Sequence, residues 1–218
     1  MNKSLKRIIF WGIAFLLIAI SIGCNQQNRE LEERVEKRFN KLQPPEKIMD
    51  AIGMKPGMVI GDIGAGEGRF TVWFAQRVGE AGKVYANDIN ERALRYLEKR
   101  CKQHGFKNVI IRLGKVVEPN IPDGALDIAF MIDVYHHLDM PVELLKNIAP
   151  ALKSNGTLVI VENDPEKSGW TSHTTPKTEL LKQVDKAGYE LVKIDPFLPM
   201  DNIYFFRPKA TNNGSQAQ

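Results

Sequence analysis

The stretch Val59–Phe70, VIGDIGAGEGRF, ends an apolar run in an acid, Asp62, and follows it with Gly64, Gly66 and Gly68. Glycines accept positive φ and leave no Cβ in the way, so a ligand can lie directly on such a backbone. The spacing says which ligand. A dinucleotide loop reads G-x-G-x-x-G. Here the order is D-x-G-x-G-x-G, and Arg69 stands where the third dinucleotide glycine would fall. That speaks against a pyrophosphate, and so against a nicotinamide-dependent oxidoreductase. It favours a ligand with an amino-acid part and a nucleoside. Asp88 ends the next strand-like run and is placed to accept both hydroxyls of a ribose. The competing reading makes it a helix N-cap within Asp88-Ile89-Asn90-Glu91.

Three histidines offer proton chemistry near neutral pH. His136 and His137 follow the apolar run Leu126–Ile132, and His173 lies in a loop further on. Each suits removal of a proton from a hydroxyl or an acidic carbon; each could equally cap a helix or pack. No carboxylate or Cys completes a recognisable ligand spacing with them, so no metal is expected. Tyr135 could line an acceptor pocket or equally act in the reaction. Trp170 and Phe197 read as core residues by default, or as apolar walls of that pocket.

These residues need a frame that brings them together. Strand-like runs at Met58–Ile63, Lys83–Asn87, Val109–Arg112, Leu126–Ile132 and Thr157–Glu162 alternate with segments of helical periodicity. Phe70, Trp73, Phe74 and Val78 share one helical face; so do Leu94, Leu97 and Cys101, and Leu144, Leu145, Ile148 and Leu152. Such alternation predicts an α/β fold, a mostly parallel, seven-stranded, Rossmann-like sheet with helices on both faces. The end differs. A helix over Pro176–Ala187 leads to Glu190–Ile194, and only a short loop precedes Asn202–Arg207. A loop that short requires an antiparallel pair, so the last strand is expected to run against the rest. In an open parallel sheet, ligands bind beyond the carboxyl ends of the strands, where strand order reverses. Asp62, Asp88, Lys115, Val116, Asp133 and the histidines all fall at such ends.

Charge excludes one class of partner. The chain has 218 residues and a formal net charge of +4. Residues 1–42 hold eight Lys or Arg against four Glu, which accounts for all of it. The remainder is balanced, so no nucleic-acid partner is expected. The run Arg92, Arg95, Lys99, Arg100 and Lys102 reads as a solvated helix face.

Lys3, Lys6 and Arg7 precede an apolar run from Ile8 to Gly23, shorter than the roughly 20 residues of a spanning helix. Residues 1–24 read as a signal peptide or an uncleaved membrane anchor. The end, Ser21-Ile22-Gly23-Cys24, resembles a bacterial lipoprotein signal, with Cys24 as the lipid acceptor. Residues 25–44 read as a charged helical stalk with Glu30/Arg34 and Glu33/Lys37 spaced i, i+4. Residues 45–208 form the domain, and 209–218 a polar tail read as disordered. Basic residues flank the apolar run on both sides, so the side of the membrane stays open.

Taken together, DIGAGEGRF, Asp88, IPDGALDIAFMIDVYHHL and LKSNGTLVIVEND resemble the class I S-adenosylmethionine-dependent methyltransferases over residues 45–207, and most nearly the quinone-biosynthesis C-methyltransferases and small bacterial relatives. The resemblance implies S-adenosyl-L-methionine as cofactor. By it, Asp62, Gly64 and Gly66, with Ala65 in the same loop, hold the methionine portion. Asp88 takes the ribose and Ile89 packs on the adenine. Lys115 and Val116 lie at the adenine edge, although Lys115 stands where many members carry an acid. Asp133 sits near the methionine amino group. The implied activity is methyl transfer to a small-molecule or lipid-like acceptor, with a cofactor-binding module that does not turn over as the other reading. An N-terminal tether would raise the local concentration of a membrane-borne acceptor.

Overall fold

Pro45 opens the second of two compact units into which the chain divides. The computed structural model describes residues 34–210. In the first unit, residues 34–42 form a helix, α1. The expectations for the targeting segment, for Cys24, for the start of the stalk and for the tail from residue 211 lie outside the described residues. Among the described residues no helix is long and apolar enough to cross a membrane.

The second unit starts with α2 (Pro45–Ala51). It continues through β1 (Val59–Ile63), α3 (Arg69–Val78), β2 (Lys83–Asp88), α4 (Glu91–His104), β3 (Val109–Leu113), β4 (Leu126–Ile132), α5 (Pro141–Ile148) and β5 (Leu152–Asn163). It ends with α6 (Pro165–Ser168), α7 (Lys177–Lys186), β6 (Tyr189–Asp195) and β7 (Asp201–Pro208). The seven strands make one sheet in the order β3-β2-β1-β4-β5-β7-β6. Neighbours from β3 to β5 are parallel; β7 runs antiparallel to both β5 and β6. The alternation of apolar runs predicts this architecture, and the five-residue return between β6 and β7 fixes the direction of the last strand.

Alternate side chains of the central strands feed a core on each face of the sheet. On one face Ala129 and Met131 of β4 join Leu145 and Ile148 of α5 and Leu180 and Val184 of α7. On the other, Ile128 and Phe130 meet Phe70 and Phe74 of α3 and Ile48 and Met49 of α2. Phe74 and Phe130 pack edge to face, 4.9 Å between ring centroids, a favoured aromatic geometry. The Asp127 carboxylate accepts from the Val59 N–H at 2.8 Å and from Lys153 Nζ at 2.7 Å, and so links β1, β4 and β5.

Three details differ from the sequence reading. Leu152 does not continue the α5 face; a 3-10 turn over Ala149–Ala151 ends the helix, and Leu152 pairs with Leu126 in the sheet. Its side chain still joins the α5 core, which is why the helical spacing looked continuous. Trp170 and Phe197 are exposed rather than core residues. Both lie in connections after β5 and β6, where no second layer covers them.

Candidate functional site

Strand order reverses between β1, which is flanked by β2, and β4, so their carboxyl ends open a crevice. The glycine loop lies there. Gly64, Gly66 and Gly68 all have positive φ, at 76°, 53° and 84°. Two of the three are needed for packing. A Cβ on Gly64 would run into Val134, and one on Gly68 into Leu97. Gly66 is different: no atom lies within 4 Å of where its Cβ would be.

Asp88 closes the loop from the neighbouring strand. Its Oδ2 accepts from the Gly66 N–H and its Oδ1 from the Asn90 N–H, both at 2.7 Å. The α4 cap is Asn90, whose side chain accepts from the Arg92 and Ala93 N–H groups. Asp88 is therefore not spent on the helix terminus. Asp62 is buried and accepts from Thr71 Oγ1 at 2.6 Å. Burial pushes its carboxyl up to about 6, against the opposing pull of the Thr71 hydrogen bond.

A cavity of about 210 Å³ adjoins the loop, lined among others by Gly64, Asp88, Lys115, Val134 and His137. Ile89 and Val116 line it too, although 63% and 44% exposed. Apolar side chains left open beside a carboxylate suit a flat, polar-edged ring system such as a nucleobase. Lys115 cannot accept a hydrogen bond; its Nζ pairs with Glu118 at 2.6 Å. Ala65 packs at the base of α4, beside Leu94 and Leu97.

Across the crevice, Asp133 takes positive φ (55°) just past β4, and its carboxylate pairs with Arg69 at 3.2 Å. The sequence assigned Arg69 only an exclusion. As the first residue of α3, directly after the glycine loop, it brings a guanidinium to the site.

The three histidines come together. His136 and His137 sit on a 3-10 turn over Tyr135–His137, ring centroids 4.1 Å apart. His173, in a left-handed backbone conformation (φ 57°), brings its ring 6.4 Å from His136 and 6.1 Å from His137. Among the described residues, no group of three or more His, Cys, Asp or Glu is arranged to hold a metal. Tyr135 is buried and donates to Gln183 at 2.9 Å, a structural role. Sequence reasoning missed Glu162, near the end of β5, whose Oε1 lies 2.7 Å from His136 Nδ1. The signal was an acid closing the apolar run TLVIVE.

Comparison with known proteins agrees with this geometry. Residues 54–193 match a family model described as a methyltransferase domain. The chain is 31% identical over 111 residues to a ubiquinone/menaquinone biosynthesis C-methyltransferase of Hydrogenovibrio crunogenus, covering 50% of this chain and 44% of that one. It is 26% identical over 184 residues to a demethylmenaquinone methyltransferase of Lactococcus lactis, covering 77% and 68%. The chain spans about half or less of the first curated relatives it matches. Among solved structures, a SAM-dependent methyltransferase from Aquifex aeolicus superposes with a TM-score of 0.70 at 25% identity, covering 74% of this chain and 88% of that one. The match over residues 54–193 takes in the glycine loop, Asp88 and the histidine turn, and the chain belongs to the methyltransferase-domain family, the class I S-adenosylmethionine-dependent methyltransferases.

Proposed function

We propose that this protein moves a methyl group from S-adenosylmethionine to a small, lipid-like acceptor at a membrane to which its N-terminus holds it. The observation that carries the reading is the cradle at the crevice. Gly66 faces open space, Asp88 stands beside it, and Ile89 and Val116 leave apolar surface uncovered around one cavity.

The residues present fit the cofactor. Asp88 already accepts two backbone N–H groups, and each carboxylate oxygen keeps a second lone pair for a ribose hydroxyl. Ile89 and Val116, which line the cavity, would flank the adenine. Arg69 and Asp133 form a pair of opposite charges suited to the two charges of an amino acid, guanidinium to carboxylate and carboxylate to ammonium. Asp62, behind the loop, fixes its shape through Thr71. When bound, the cofactor supplies a methyl carbon already activated by a sulfonium. The chain has to bind, align and dry the reactants; alignment alone contributes on the order of 7–11 kcal/mol.

The relatives named for demethylmenaquinone support an aromatic, membrane-borne acceptor. Full-length protein, methyl-labelled S-adenosylmethionine and vesicles containing demethylmenaquinone make the test. Label is expected in the lipid fraction. Cofactor that binds while no label moves into any lipid would favour the binding-module reading. Protease treatment of spheroplasts gives the side of the membrane: cleavage without lysis excludes a domain facing the cytosol, where the cofactor is made.

A further inference from the structure

Glu162 is a buried carboxylate that the cofactor site leaves unassigned. Its side chain is 1% exposed. Oε1 lies 2.7 Å from His136 Nδ1 and accepts from the Thr175 N–H at 3.3 Å. Oε2 is buried with no hydrogen-bond partner among the described residues. A carboxylate is costly to hold at such depth without full pairing. His136 is 10% exposed, and among the described residues its second ring nitrogen, Nε2, makes no hydrogen bond. The adjacent His137 lines the cofactor cavity.

We propose that Glu162 positions His136 as the proton acceptor of the reaction: Oε1 accepts from Nδ1–H, which fixes the tautomer whose bare Nε2 faces the acceptor. This rests on the methyltransferase reading above. It selects an acceptor whose nucleophile must lose a proton, a phenol or enol hydroxyl or an acidic ring carbon. Nε2 takes that proton. The electron pair left on oxygen or carbon forms the bond to the methyl carbon, and the carbon–sulfur bond breaks with its pair staying on sulfur. The proton leaves His136 for water. Glu162 does not touch the reactants; it orients the ring and balances the imidazolium.

The surroundings tune the pair. Burial first, with Asp133 and Asp201 adding to it, pushes Glu162 up to about 8, against the Thr175 and His136 hydrogen bonds. Burial, His137 and His173 push His136 down, and Asp133 opposes them. The Tyr135 and Tyr204 hydroxyls also feel Glu162. The working form, Glu162 ionised and His136 neutral, appears as the shared proton leaves with rising pH.

The test is nitrogen NMR of full-length protein labelled with 15N-histidine, His136 being assigned by its loss in His136→Gln. The wild type is expected to show a step near pH 8 and, at pH 9, Nδ1 protonated with Nε2 bare. Glu162→Gln is expected to lose that step, with S-adenosylhomocysteine binding kept within about twofold. A His136 titration identical in both proteins, or a proton on Nε2 of the wild type at pH 9, overturns the proposal. If Glu162→Gln does not fold, the wild-type tautomer decides alone. Failure of both proteins to bind S-adenosylhomocysteine would refute the cofactor reading, and the spectra would still answer for the Glu162–His136 pair.

Discussion

Asp88 and Gly66, 22 residues apart, are joined by a 2.7 Å hydrogen bond from the glycine N–H to the carboxylate. One acid thus shapes the loop on β1 from the end of β2, and the proposed function gives it the ribose. Replacing it removes an acceptor from two N–H groups and, on the proposed function, a partner from the nucleoside. Asp88→Ala is expected to weaken S-adenosylhomocysteine at least about tenfold by calorimetry, and to cost about 1–3 kcal/mol of stability. Unaltered affinity would refute the ribose assignment.

Gly66 and Gly68 separate binding from folding. Both have positive φ, but only a Cβ at 68 meets an obstacle, Leu97. Left-handed strain of about 1–2 kcal/mol applies to each alanine, and overpacking adds about 1–3 kcal/mol at 68. Gly68→Ala is expected to lower the melting temperature clearly further than Gly66→Ala, whereas Gly66→Ala is expected to lose affinity for S-adenosylhomocysteine. Equal melting temperatures would contradict this.

Much of this arrangement was legible in the residues. Apolar runs spaced by helical faces predict the sheet, since both signals come from local periodicity. Asp62, Asp88 and the glycines could be placed because a strand end locates its next residue. Glu162 could not, because its meaning depends on His136, 26 residues away on another strand's exit. The pairing of Arg69 with Asp133 was hidden for the same reason. Leu152 misled because a strand residue entering the helix-covered core mimics the next turn of that helix.

The Arg69–Asp133 pair is assigned to the amino-acid end of the cofactor, so its loss should spare a ligand lacking that end. Arg69→Ala is expected to weaken S-adenosylhomocysteine about tenfold, near 1.4 kcal/mol, and to leave adenosine binding unchanged. Equal losses for both ligands would place Arg69 elsewhere in the site.

Two buried acids make stability depend on pH. Asp62 rises from an ordinary 3.8 to about 6 and Glu162 from 4.5 to about 8. Each holds its proton more tightly in the folded chain, so the unfolded chain ionises first and stability falls as pH rises through each interval. Melting temperatures of the cofactor-free protein are expected to decline from about pH 4 to about pH 8. Glu162→Gln should flatten the upper part, between about pH 6 and 8. Stability that climbs across this range in the wild type would contradict the burial of both acids as charged-form penalties.

Calorimetric titration of the full-length protein with S-adenosylhomocysteine, beside a parallel titration with NADH, bears most directly on the cofactor assignment. One molecule of S-adenosylhomocysteine per chain is expected, with a Kd on the order of 10 μM, and no heat from NADH. Silence with the first ligand, or saturable binding of the second in its place, would contradict it.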